Sequence, residues 1–572
     1  MRSLVVSAAL ASCFAASACR PPIEPATLVL QHGTVVTMDP ATPKGQAVAV
    51  RGDRIIAVGT DAEIAPYVGP GTEIVDLKGQ LAVPGFIESH GHFLGLGEAK
   101  TLLDLTTAAS WEDIVARVGD AAKAAAPGET IKGRGWHQSK WTHPPSPMIE
   151  DFPVHDALSA VSPDNPVVLE HASGHAVFVN ARAMALAGIT AATKNPAGGE
   201  IVKDATGRPI GLLREAAASL VAEHANASGG PVLAQADYDA EAQALRFIDL
   251  AAKDALSKGI TTFHDAGVSF HTIDLFRRLA EEGRLPLRLW VMAGASNTDL
   301  ARHLDAYRAV GLGHGFLTVR AIKVVADGAL GSHGAWMLEP YTDLPASTGL
   351  NTVSMDDLRA TAALAIEHGY QLCVHAIGDR ANREVLDVYE ATFKAHPDRK
   401  DLRWRIEHAQ HLDPADIPRF GRLGVIAAMQ GLHATSDAIF VPVRLGEART
   451  EAGAYVWQKL LSSGAKVVNG TDTPVEDVDP LPSFHASVTR KLKDGSLFHP
   501  DQRMTREQAL RSYTLDAAYA GFEDDVKGSL TPGKLADVTI FTKDILSVPD
   551  DEIPSARVAY TIVGGKVAYR RP

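Results

Sequence analysis

The sequence predicts an α/β fold: a (β/α)8 TIM-like barrel, a small β-sandwich domain built from both termini, and a long insert after the first barrel strand. Three observations predict it. Eight strand-like runs, at 81–90, 259–267, 287–294, 319–328, 371–379, 403–410, 424–430 and 465–472, are separated by helical or long irregular connections. Short β-rich runs broken by Gly and Asp turns stand at both chain ends. The stretch between the first two strands, about 95–250, is far longer than an ordinary βα loop. The expected boundaries are a leader over 1–19, the N-terminal part of the sandwich over 20–84, the barrel over 85–520, and the C-terminal part of the sandwich over 521–572.

Residues 1–19 read as an export signal. Arg2 is followed by an uncharged apolar run, Ser3 to Ala18, with small residues before a cysteine. The run is shorter than the roughly 20 residues a membrane-spanning helix needs. Both "LASC", ending at Cys13, and "ASAC", ending at Cys19, resemble a bacterial lipobox, which implies an exported, periplasmic or outer-membrane lipoprotein. Cys19 leaves the more usual signal length and Cys13 has the better local match; plain secretion is the alternative. Only Cys373 then remains in the folded body, so no disulfide forms within one mature chain.

"TLVLQHGTVVTMD", "GQAVAVRGDRIIAVG" and "GTEIVDLKGQLAVPG" are the N-terminal strand runs, and "GKLADVTIFTKD" and "VAYTIVGGKVAYR" are their C-terminal counterparts. The first barrel strand ends in "ESHGHF". Side chains two apart on a strand share a face, so His90 and His92 project together from its C-terminal tip. An isolated H-x-H is more often a pair of loop histidines. Here the other strands decide: His264 and Asp265 end the second, Lys323 and Asp327 the fourth, His375 the fifth, His408 the sixth and Asp472 the eighth. A barrel of this kind gathers its strand tips on one face, where active sites lie. Packing does not explain so many ligand-type residues there, whereas a metal site does. Neutral imidazoles and carboxylates suit Zn2+, with Mn2+ or Fe2+ as alternatives.

The insert contains "GRGWHQSKW" and "EHASGHAVFVN". Clustered Trp and His on a loop-rich segment at the barrel mouth suit a lid. Trp136 and His175 are the expected substrate contacts, and Glu215, Asp327 and His433 are further candidates; packing or turn roles are the alternatives. The net charge of −13 provides no basic field for nucleic acid. A small-molecule substrate is expected, a membrane only through the lipid anchor, and a homo-oligomer is compatible with the sequence.

The order H-x-H, Lys, His, His, Asp, with "PGFIESHGHF", "GHAVFVN", "IKVVADGALGS", "VHAIGDRA", "RIEHAQ", "GTDTPVEDVDPL" and "KGSLTPGKLADVTIF", resembles the amidohydrolase superfamily, in its YtcJ-like branch (amidohydrolase family 3), over everything after about residue 28. Glu88 stands where Asp is usual, Phe178 where Trp is usual and Gly431 where Pro is common; none is a ligand position. The resemblance implies a metal-dependent hydrolase of non-peptide C–N bonds, acting on an amide such as an N-substituted amide or formamide. It implies that His90 and His92 hold one metal and His375 and His408 the other, with Asp472 against the first. It implies that Lys323 is carboxylated and bridges the two; an ion pair with Asp327 is the alternative. One or two ions are compatible with these residues. Asp472 would take a proton from the attacking water and deliver it to the departing amine. Ester or lactone hydrolysis, ring deamination and a non-catalytic surface-anchored binding protein are the competing readings.

Overall fold

The computed structural model describes residues 24–221 and 241–572. The expected leader over 1–19, with Cys13 and Cys19, lies outside them. Among the described residues no helix is long and apolar enough to cross a membrane.

Eight parallel strands stand side by side in sequence order: β1 (Phe86–Gly91), β2 (Ile260–Val268), β3 (Arg288–Ala293), β4 (Leu317–Val325), β5 (Gln371–Ala376), β6 (Arg405–His408), β7 (Ile426–Gln430) and β8 (Val467–Gly470). Between β8 and β1 the ring is closed just past the strand ends. The Asp472 N–H donates to His90 O at 2.8 Å and the His92 N–H to Thr473 O at 2.8 Å. Glu88 reinforces this seam, accepting from the Thr471 N–H (2.8 Å), the Thr471 hydroxyl (2.8 Å) and the His90 N–H (3.2 Å). Gly470 makes room for the longer acid, since a Cβ there would lie 2.3 Å from Glu88 Oε1.

Strand alternation sorts the residues. Leu289 and Val291 of β3, and Leu372 and Val374 of β5, belong to the main hydrophobic core, which also contains Ile273, Phe276, Leu358 and Val385 from helices. The intervening Trp290, Met292 and Cys373 fill a separate cluster with Ala266 and Ala321. The helix Met355–His368 shows why the connections are helical. Ser354 caps it by accepting from the Asp357 N–H, Gly369 ends it at φ 68°, and Leu358, Thr361, Ala362 and Ala365 are buried at helical spacing.

The run expected as one strand over 81–90 divides at Gly85. Leu81–Pro84 joins a six-stranded sheet that holds Thr34–Val36 from the N-terminal region and Val538–Phe541, Val558–Val563 and Lys566–Arg570 from the C-terminal end. A four-stranded sheet of Leu28–Gln31, Ala47–Arg51, Arg54–Gly59 and Glu73–Asp76 shares its apolar core, with Leu30 and Val48 beside Ala82, Val538 and Ile562. Gly85 is the pivot because a Cβ there would lie 2.2 Å from Thr261 Oγ1. Arg288 of β3 ties barrel to tail through a buried two-point pair with Asp537 (2.7 and 3.0 Å).

The segment after β1 is better built than a loop-rich lid. It carries a six-stranded sheet that includes Ile131–Trp136, Val167–His171, Ala176–Val179 and Pro209–Glu215, with its own core of Trp111, Trp136, Phe178 and Leu212.

Candidate active site

The strand tips converge as expected. His90, His408 and Asp472 each present a ligand atom within 4.8 Å of the others, all buried. His92 Nε2 lies 3.4 Å from Asp472 Oδ1, and the His375 and His408 ring centres are 4.4 Å apart. The tight trio therefore joins members of both expected metal pairs. His408 and Asp472 are held at φ 76° and 57°, a region that costs non-glycine residues energy and is tolerated where the surroundings enforce it.

Behind the ligands stands a second set of groups that fixes each ring. Glu407 Oε2 accepts from His90 Nδ1–H, and Glu407 is itself gripped by Arg405 through Nε (2.7 Å) and Nη2 (2.8 Å). Gln430 Oε1 accepts from His408 Nδ1–H at 2.9 Å. In both histidines the Nδ1 proton is committed outward, which leaves Nε2 with a lone pair for the site. Burial lowers His90 and His375 well below the ordinary imidazole range and pushes His408 down to about 3, so the rings are neutral near pH 7. For Asp472, burial works against ionisation. The close approach of His92, 3.4 Å away, and the neighbouring histidines outweigh it and hold the carboxyl below its usual range.

These residues fit a divalent cation. Both ring nitrogens of His92, Nε2 of His375 and Oδ1 of Asp472 are buried without a hydrogen-bond partner. Neutral nitrogens and a carboxylate oxygen left open together are a metal's donor set. Lys323 reaches the same place: its Nζ donates to His90 Nε2 at 3.2 Å, and burial lowers its amine from the ordinary value. No Lys323–Asp327 pair forms among the described residues.

The candidate metal-binding residues adjoin a narrow cavity of about 50 Å3, whose lining includes His175, His375, His408, His433 and Asp472. His175 donates Nδ1–H to Glu215 Oε2 at 2.9 Å and packs on His375, ring centres 4.7 Å apart. Gln410 Nε2 donates to His433 Nδ1 at 3.1 Å. The remaining proton of His433 is therefore on Nε2, which is buried without a partner and belongs to the cavity wall.

Three expected contacts do not line the cavity, although Asp327 Oδ1 lies 3.4 Å from His375 Nε2. Trp136 is 1% exposed in the apolar core of the segment after β1, its indole N–H on Leu169 O at 3.0 Å. Its chain neighbour His137 lines the cavity instead, stacked on Phe440. Asp327 binds backbone: it accepts from the N–H groups of Ile377 (3.0 Å), Gly378 (2.8 Å) and Trp336 (2.8 Å). Glu215 acts on His175 from behind. Its Oε1 sits where a Cβ on Gly328 or Gly334 would come within 2.0 or 2.7 Å. Gly328→Ala is expected to displace that carboxylate and to destabilise the fold by about 2 kcal/mol, as measured by denaturant unfolding.

The sequence profile of the amidohydrolase family matches residues 73–569. The chain belongs to the amidohydrolase family. The chain is 29% identical to a putative amidohydrolase, YtcJ, of Bacillus subtilis over 94% of this chain and 98% of the relative. It is also 29% identical to the N-substituted formamide deformylase of Arthrobacter pascens, over 95% and 98%. Among solved structures, an uncharacterised metal-dependent hydrolase from Pyrococcus horikoshii superposes with a TM-score of 0.70 at 25% identity, covering 92% of this chain and 99% of that one. This amidohydrolase is thus a hydrolase of a metal-dependent class, with a His/His/Asp candidate metal site at its barrel mouth.

Glu407, Gln430 and Gln410 were not expected from sequence. Glu407 lies one residue before a ligand in "RIEHAQ", inside the barrel with Arg405, and a buried charge needs a partner. That signal was available.

Proposed function

We propose that this amidohydrolase cleaves the C–N bond of an N-substituted amide, with a formamide as the leading substrate class, using one or two Zn2+ ions. The carrying observation is the trio His90, His408 and Asp472, whose ligand atoms converge, with His408 and Asp472 lining a narrow cavity. The small volume favours a small acyl group, and the full-length likeness to a formamide deformylase supports the same choice. A divalent ion in this site supplies Lewis acidity and an acidified water. The chain's own groups do the rest. Asp472 accepts the proton of the attacking water and returns it to the amine nitrogen as the C–N bond breaks. His433 Nε2–H donates to the carbonyl oxygen as negative charge grows on it. Lys323 is read as the carboxylated lysine. The two terminal sheets with their common core are read as one sandwich domain, and the segment after β1 as the long insert.

Incubation with N-substituted formamides, longer N-acyl amines, lactams and esters tests the reading. Amine release from formamides is expected, abolished by a chelator and restored by Zn2+. Turnover of esters alone would overturn it. Residues 1–19 further support export with lipid attached at Cys19 or Cys13. The protein should partition with membranes and be released by the double Cys13→Ser, Cys19→Ser change. Recovery of the unprocessed chain from the cytoplasm would contradict this.

A further inference from the structure

A second cavity, of about 220 Å3, lies back to back with the catalytic one on the same face of the barrel. Its walls come from the loops and helices that follow β4, β5, β6 and β7. The two cavities share a partition: Ile377 and Gln410 line the first, while Asp379 and His411 line the second. Backbone hydrogen bonds tie the partition together. His411 N–H donates to Ile377 O (3.1 Å), Leu412 N–H to Gly453 O (3.0 Å) and Tyr455 N–H to Gln410 O (2.8 Å).

His411 is the first sign of a ligand. It is 2% exposed, it lines this cavity, and neither ring nitrogen has a partner. A neutral imidazole carries one donor and one acceptor, and buried polar atoms in native proteins are almost always satisfied. The charges are the second sign. Arg383 is neutralised by Asp413 (3.2 Å) and Asp416 (2.8 Å). Arg449 is not: it bonds only neutral oxygens, namely Leu445 O (2.7 Å), Glu339 O (3.2 Å), Pro340 O (2.9 Å) and Thr342 Oγ1 (3.1 Å). Those bonds hold the guanidinium in place without cancelling its charge. Asp379 Oδ1 accepts from the Leu338 N–H at 2.8 Å; burial raises its carboxyl, the backbone bond and the Arg449 charge oppose that shift, and among the described residues no cationic side chain lies within 4.0 Å of it. The cavity therefore displays a fixed positive group, a fixed negative group and an open imidazole, beside apolar Met337, Leu412 and Leu445.

We propose that this cavity is a second small-molecule site that takes a zwitterion of amino-acid size, its carboxylate on Arg449 and His411 and its ammonium on Asp379. Opposite charges fixed in one cavity favour a ligand that carries both over a simple anion or cation. The shared partition makes the site a neighbour of Gln410, and so of His433.

Calorimetric titration of the metal-loaded protein with each proteinogenic amino acid, up to about 10 mM, tests this. Acetate and methylammonium serve as single-charge controls. At least one amino acid should bind saturably, and more tightly than either control. Binding should weaken roughly tenfold or more in Arg449→Gln and in Asp379→Asn, the second of which keeps an acceptor for the Leu338 N–H. It should persist in Asp472→Asn, which separates it from the catalytic cavity. No binding by any amino acid, equal binding in both charge variants, or acetate binding as tightly as the best amino acid would each overturn the proposal.

Discussion

Asp472→Asn lowers turnover of a verified formamide substrate by roughly two to four orders of magnitude while the protein keeps at least one equivalent of metal. Asparagine preserves the shape at a position fixed by the His90–Asp472 backbone bond and held at positive φ, and retains one oxygen for coordination. It cannot carry the proton from water to amine. Steady-state kinetics beside metal analysis of the same preparation read both quantities. An Asn variant of near-normal turnover would remove Asp472 from proton transfer, and parallel loss of metal and activity would reduce it to a ligand.

Glu407→Ala has the largest expected effect on stability. Arg405 and Glu407 are both fully buried, and removing the acid leaves a guanidinium uncompensated inside the barrel. Breaking such a pair costs about 3–5 kcal/mol, measurable by denaturant unfolding. His90 also loses the acceptor of its Nδ1 proton. Glu407→Gln keeps the volume and an oxygen but not the charge, and should weaken metal affinity about 10–100-fold with a milder effect on stability. Equal metal affinity in wild type and Glu407→Gln would show that the carboxylate does not tune His90.

The strand tips were legible because two simple rules reach them: side chains alternate on strands, and parallel barrels gather their strand ends on one face. Each of the eight barrel strands overlaps one of the apolar runs, the first of them only from Phe86 onward. What failed had physical causes. The 81–90 run looks continuous, since apolar content does not show that Gly85 hands the chain from one sheet to another. Trp136 and His137 were distinguishable only by parity. Aromatic bulk drew attention to the residue that the segment after β1 buries in its own core, and its neighbour has the cavity. Gln430 and Gln410 are uncharged amides whose partners lie 22 and 23 residues away, so only the folded arrangement reveals what they hold. Asp327 carries a ligand-type side chain at a strand tip yet serves three backbone N–H groups, a use that sequence pattern does not separate from catalysis.

The metal content of purified wild-type protein, His90→Ala and His408→Ala, with folding checked by circular dichroism, tests the central claim most directly. At least one equivalent of divalent metal is expected in the wild type, with metal and activity lost together in both folded variants. Full metal occupancy in both would contradict the assignment of this strand-tip cluster as the metal site.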